Sequence, residues 1–209
     1  MNLLRNRFGK VTLFIAVTAV ALATASASLA LRSRAGAADS AKARAASVIP
    51  IAHLRVLGRG QSAADRSTEA SDAVATMLGA LPAIDPATFR VALRGFGGGA
   101  RTAFVARGRD GRICAGLTEF SSGCLDGLPP DLPVDVTYGG GSATEGPIVW
   151  GLARDDVRAV EVVEAGVVRS AALGENVYVF QAQPGVDPAA LSAVKVHLAN
   201  GTVFTEAIG

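Results

Sequence analysis

Few side chains in this chain could do chemistry, and those few are scattered. The two cysteines, Cys114 and Cys124, lie ten positions apart. That spacing is neither a C-x-x-C redox arrangement nor a zinc pattern, and the only imidazoles, His53 and His197, are remote in sequence. The pair reads as a structural disulfide, worth about 3 kcal/mol for a loop of this size in the chain-entropy account. The adjacent carboxylates Asp155 and Asp156 sit in a turn-like run, where Asp is favoured for backbone reasons, and Glu161 and Glu164 read as solvated strand and turn positions. GFGGGA over residues 95–100 loosely fits the dinucleotide fingerprint G-x-G-x-x-A. A strand pattern follows it, however, where a pyrophosphate-binding helix would have to start. The G-x-S-x-G, Walker and H-E-x-x-H motifs do not occur. No catalytic residue, cofactor or metal ligand is therefore assigned from the residues.

The elements that would position these groups begin with an address. Residues 1–10 carry three cations and the next 21, residues 11–31, carry no charge. As a helix that stretch would run about 31 Å, close to the roughly 30 Å hydrocarbon core of a bilayer. Ala25-Ser26-Ala27 would also serve as a signal-peptide cleavage site, and Thr18, Thr24, Ser26 and Ser28 dilute the apolar run. Arg32 and Arg34 follow directly and favour a retained anchor; on either reading the remainder is exported. The organisation is thus a cytoplasmic basic segment (1–10), a transmembrane helix or signal peptide (11–31), a flexible Ala/Arg/Ser/Gly tether (32–47) and an extracytoplasmic domain (48–209). An even cysteine pair in an oxidising compartment agrees with export.

Charge is unevenly spread. Residues 1–44 hold seven Lys or Arg and one Asp, a net +6, whereas residues 45–209 hold 13 Lys or Arg and 17 Asp or Glu, a net −4. Within the latter, residues 45–112 carry nine cations and five anions, and residues 113–209 four and twelve. A basic half beside an acidic half means either internal complementarity or a partner-binding face. Nothing resembles a nucleic-acid footprint, which needs clustered cations with stacking aromatics.

In the exported part, Ala70, Ala73, Val74, Met77, Leu78 and Leu81 fall on one face of a helix that Ser67 or Thr68 can cap and Gly79 with Pro82 can stop. From Thr88 the period becomes two. Phe89, Val91 and Leu93 alternate with Arg90, Ala92 and Arg94, and Arg109-Asp110-Gly111 turns the chain between residues 102–106 and 112–117. Residues 134–138, 148–152, 157–163, 167–173 and 177–180 follow as strands at sandwich-like spacing, the last apolar on both faces as a central strand requires. Asn200-Gly201 as a two-residue turn would place His197 opposite Phe204 and Lys195 opposite Glu206. The same turn accounts for the formal glycosylation sequon Asn200-Gly201-Thr202. The fold class expected is mainly β, a β-sandwich-like domain with one short amphipathic helix, behind a single N-terminal transmembrane helix.

The strings Ala52-x-Leu54-Arg55, Gln61-x-x-x-Asp65-Arg66, Phe104-Val105-Ala106, Asp110-Gly111-x-x-Cys114, Cys124, Gly151-Leu152-x-x-x-Asp156-Val157 and Asn176-Val177-Tyr178 come in this order. In them the chain resembles a loose group of exported actinobacterial proteins with no assigned activity. The resemblance implies a bacterial envelope location and nothing chemical. The expected function is a membrane-tethered binding or interaction module, its partners the membrane, through the N-terminal helix, and an envelope protein or polymer. The alternatives are an envelope hydrolase with an unrecognised site and a structural or sensor ectodomain. The full chain is expected to fractionate with membranes, resist carbonate extraction and keep its original N-terminus. N-terminal sequencing that begins at Ser28 would refute retention and make the protein secreted.

Overall fold

The computed structural model describes residues 54–81, 84–96, 101–140 and 144–208. The apolar stretch 11–31, the tether 32–47, His53 and residues 97–100 of GFGGGA lie outside the described residues. Among the described residues, no helix is long and apolar enough to cross a membrane.

The domain is mainly β, as the period-two runs require. A one-turn helix α1 (Arg55–Gly58) and a 3-10 turn (Ala64–Arg66) lead into α2 (Thr68–Ala80). Then come β1 (Ile84–Phe96), β2 (Arg101–Gly108), β3 (Ile113–Leu117), β4 (Ser121–Leu125), β5 (Thr137–Gly139), β6 (Ile148–Leu152), β7 (Val157–Glu164), β8 (Val167–Ser170), β9 (Ala172–Leu173), β10 (Val177–Gln181), β11 (Leu191–Leu198) and β12 (Val203–Ala207). They form three four-stranded antiparallel sheets, ordered β1-β2-β3-β4, β5-β6-β10-β9 and β12-β11-β7-β8.

Three apolar clusters stack these layers. Ala70, Ala73 and Met77 of α2 meet Phe89, Val91 and Phe104 on one face of the first sheet. Val105, Ala115 and Leu117 on its other face meet Ile148, Trp150, Val177 and Val179 of the second. Val149, Tyr178 and Phe180 then pack on Val160, Val162, Val194 and Val196 of the third. The second sheet packs on both faces, and Val177 to Phe180 of β10 are accordingly all buried. Tyr178 is fully buried there, and its hydroxyl donates to the Asp135 carbonyl at 2.9 Å. Gly151 makes the crossing possible, because a Cβ at that position would overlap the same carbonyl. Ser67 caps α2 by accepting from the Ala70 N–H at 3.2 Å, and the predicted apolar face is the one that docks.

Register and strand bounds depart from expectation in four places. The turn at Asn200-Gly201 holds three residues, Ala199 to Gly201: Leu198 N–H donates to the Thr202 carbonyl at 2.9 Å, and Gly201 has φ 84°. The additional residue shifts the pairing by one, so His197 faces Val203, Lys195 faces Thr205 and, on β7, Glu161, and Glu206 faces Val194. A one-residue shift moves every β12 side chain to the opposite face. The Asp110-Gly111 turn has the same form, with Gly108 N–H on the Arg112 carbonyl and Gly111 at φ 87°. In β1 an irregularity between Val91 and Leu93 breaks the alternation, so Val91 packs under α2 while Leu93 packs toward the second sheet. The expected strand 167–173 divides between the third sheet and the second, crossing at Ala171. Of residues 134–138, Val134 makes only an isolated bridge to Ala153, and strand β5 starts at Thr137.

The entering chain is clasped to β1 by buried charge. The Asp65 side chain is 0% exposed and accepts a forked pair from Arg59, at 2.5 and 3.1 Å, together with the N–H groups of Ser62 (2.6 Å) and Val91 (2.7 Å) and the Ser62 hydroxyl. Arg59 also reaches Glu175 at 2.5 Å and the Val91 carbonyl at 3.1 Å. Arg90, expected on a polar strand face, is instead buried and donates to the carbonyls of Arg59, Ala87 and Phe89. Burial alone would raise the Asp65 pKa, but the hydrogen bonds from Arg59, Ser62 and Val91 outweigh it and hold the carboxyl well below its ordinary range.

Removing one partner of a buried pair is strongly destabilising, so Asp65→Ala is expected to cost about 3 kcal/mol or more. Urea melts at neutral pH check this; an unchanged midpoint would remove the clasp from the stability account. Because the folded carboxyl is more acidic than its unfolded value of 3.8, its contribution is complete above that value and shrinks as pH falls below it. Asp65→Asn should flatten that acid limb. Cys114 and Cys124 lie directly opposite each other across β3 and β4 and are bonded. Replacing both by Ala is expected to lower stability by about 3 kcal/mol. Two free thiols in the unreduced native protein, read by mass spectrometry, would contradict the bridge.

Candidate functional site

The structure disperses most of the chemically capable residues. Asp155 accepts the Arg55 N–H at 2.9 Å and the Asn176 amide at 2.7 Å, so it anchors the start of α1 from a hundred residues away. Asp156 pairs with Arg154 at 2.5 Å, which holds its carboxyl below the ordinary range. Glu161 meets His197 Nε2 at 2.8 Å in the third sheet, and Glu164 meets Arg169 at 3.4 Å. Gly95 and Phe96 end β1, and the next element is strand β2. Asn200 accepts the Thr202 N–H at 2.9 Å inside its turn. Among the described residues, no three His, Cys, Asp or Glu side chains converge on a position that could hold a metal ion.

Three of the strings, those holding Arg55, Gln61 with Asp65, and Asn176, meet at the clasp. Gln61 donates to the Phe89 carbonyl, Asp65 holds Arg59 and β1, and Asn176 accepts the Val56 N–H at 2.9 Å while donating to the Ala153 carbonyl and Asp155. Asn176 adopts φ 61°, a left-handed position that Asn tolerates better than most residues. These residues join the entering segment to β1 and the β9–β10 turn, which is a structural role. The charge halves also meet, through Arg59–Glu175 and Arg101–Glu145, each at 2.5 Å.

The candidate site lies elsewhere, at the far side of α2. Glu69, Asp72, Ala73, Thr76 and Met77 form a stripe at helical spacing, and opposite them run residues 117–122, the end of β3, its turn and the start of β4. Between them is a groove of about 640 Å³ with Phe104 at its base. The small residue Gly116 lies beneath, where a Cβ would overlap the Phe104 ring. Apolar surface comes from Met77, Phe104, Leu117 and Phe120, and the rim is hydroxyls and carboxylates. Glu69 is already engaged, by Arg94 at 2.8 Å and by the Thr102 hydroxyl. Asp72 and Glu119 have no side-chain partner among the described residues. Glu119 sits at φ 60° at the tip of the turn, whose Phe120 ring has the Arg101 guanidinium 5.9 Å from its centroid.

A second, smaller cavity of about 110 Å³ opens on the opposite face of β4, lined by Gly123, Leu125, Asp135, Thr137, Trp150 and Leu152 among others. Trp150 Nε1 donates to Ser121 Oγ at 3.1 Å across its wall. Burial raises the Asp135 pKa, opposed by a hydrogen bond from Thr137. Ser121 and Ser122 border both cavities.

Sequence reasoning placed α2 and both cysteines but missed the groove. The one available signal was the small-residue run Ser121-Ser122-Gly123 beside an apolar helix face, which leaves room that large side chains would fill. No protein family, curated protein or solved structure matches this chain.

Proposed function

We propose that the chain is a membrane-tethered, extracytoplasmic binding module of the bacterial envelope, β-sandwich-like and disulfide-bonded, whose ligand sits in the groove between α2 and the β3–β4 turn. The observation that carries this reading is the groove itself. About 640 Å³ falls in the size range of ligand sites, and its apolar floor is bordered by the carboxylates of Asp72 and Glu119, which have no side-chain partner among the described residues. An apolar floor supplies affinity, and unpartnered polar groups at the rim supply orientation. Among the described residues the lining has no imidazole and no thiol, and the side chains present favour recognition. The envelope setting is supported by the uncharged stretch 11–31, by the Cys114–Cys124 bridge, which suits an oxidising compartment, and by the resemblance to exported actinobacterial proteins.

Purified envelope fractions, peptidoglycan and membrane protein separately, would be titrated onto the detergent-solubilised full chain. Binding is expected to weaken by about tenfold, roughly 1.4 kcal/mol, in the double variant Asp72→Lys/Glu119→Lys, and to weaken with added salt. Retention that is indifferent to both changes would remove the groove from the function.

A further inference from the structure

We propose that β4 is a docking edge: an extended peptide segment of a partner protein adds to the first sheet beside β4 as a fifth strand, its alternate side chains entering the two cavities that flank that strand. This rests on the groove reading above and names its occupant.

The two edges of the first sheet are treated differently. At β1 the outward backbone is covered: Asp65 takes the Val91 N–H, Arg59 the Val91 carbonyl, Gln61 and Arg90 the Phe89 carbonyl, and the Glu175 N–H the Ala92 carbonyl at 2.9 Å. At β4 the Cα atoms of Cys114 and Cys124 are 4.0 Å apart, the close spacing of a non-hydrogen-bonded pair. The N–H and C=O groups of Cys124, and of Ser122 two residues earlier, therefore point away from β3. No described residue takes them up. Natural edges are usually guarded by charge, proline or a bulge, and Arg169 and Glu206 serve β8 and β12 in this way. Ser121-Ser122-Gly123-Cys124-Leu125 has no charge and no proline. The disulfide holds this strand to β3, so the template is pre-ordered and an incoming strand meets less entropic cost.

The cavities supply what an added strand would read. Ser122 and Cys124 pair with Gly116 and Cys114 on the α2 face, whereas Ser121, Gly123 and Leu125 pair with Leu117, Ala115 and Ile113 on the face toward the second sheet. Side chains of an adjacent strand alternate between the same two faces. One set would enter the groove of about 640 Å³, the other the cavity of about 110 Å³. Charge complementarity selects the first set: a Lys or Arg can lay its apolar stem along Met77 and Phe120 and bring its cation to Asp72 and Glu119. The smaller cavity, walled by Trp150, Leu152 and Leu125, suits one small apolar side chain. The ligand is thus an extended segment with basic residues at alternate positions and small apolar ones between, held by main-chain bonds and specified by its side chains.

The probe is a phage-displayed random decapeptide library panned against the detergent-solubilised full chain, followed by synthesis of the most enriched peptide. The expected result is enrichment of Lys or Arg at every second position, slowed hydrogen exchange of the Ser122 and Cys124 amides on binding, and a loss of affinity of about tenfold or more in Ser122→Pro, which removes an outward N–H. The exchange measurement on the unaltered protein carries the test if that variant misfolds. No enrichment, or a bound peptide that leaves both amides exchanging as in the free protein, would overturn strand addition. If envelope material still binds in a manner sensitive to Asp72→Lys/Glu119→Lys while β4 stays unprotected, strand addition falls and the groove reading stands.

Discussion

A carboxylate with no exposed side-chain surface orders the start of this domain. Asp65 draws Arg59, two Ser62 groups and the Val91 N–H onto one side chain, which orders residues 59–65 and ties them to β1. The buried charge is tolerable only because every partner is present, since an unpaired ion in such a place would cost several kcal/mol. Around it Arg59 reaches across to Glu175, and Arg90 ties its own guanidinium to the Arg59 carbonyl. The consequence is architectural. The segment carrying α1 is held against the β1 edge, Leu54, Val56 and Leu57 are delivered into the core between the first two sheets, and the first sheet is closed on that side.

Closure on one side has a counterpart on the other. The four layers, α2 and three sheets, are stacked through clusters that share no residue, so each interface can be packed independently. Small side chains let the layers approach. Gly151 admits the Asp135 carbonyl over β6, and Gly116 admits the Phe104 ring under α2. At the β4 end the same economy of volume leaves space: Ala73 on the helix and Ser121, Ser122 and Gly123 on the strand do not fill what lies between them, and cavities remain on both faces. The disulfide is placed where it braces this strand against β3, beneath the helix that forms the other wall.

Much was legible in the residues alone, wherever a rule is local. The apolar stripe from Ala70 to Leu81 and the Ser67 cap specify α2 because helical periodicity and capping act within a few residues. Phe104, Val149 and Val194 lie in strands the period-two pattern located, and Cys114 with Cys124 announced a bridge by isolation and spacing. The mainly β class followed from these patterns. What sequence reading took for a two-residue turn at Asn200-Gly201 failed because loop length is decided by how the flanking strands meet, and a third residue there reverses the faces of β12.

The tertiary structure decided the rest, for reasons that concern distance along the chain. Asp65 and Val91, or Asp155 and Arg55, are brought together only when the entering segment docks on the sheets, and no local rule marks a carboxylate as a clasp. The groove is still less visible, because a cavity is what neighbouring side chains do not occupy, and volume left over between α2 and β4 is a property of the packed layers. Helix, strands and bridge were written in local composition and period, which depend on neighbours a few residues away. Which edge is covered, which stays open and what chemistry borders it were settled by contacts between residues tens of positions apart, and those exist only once the layers have closed.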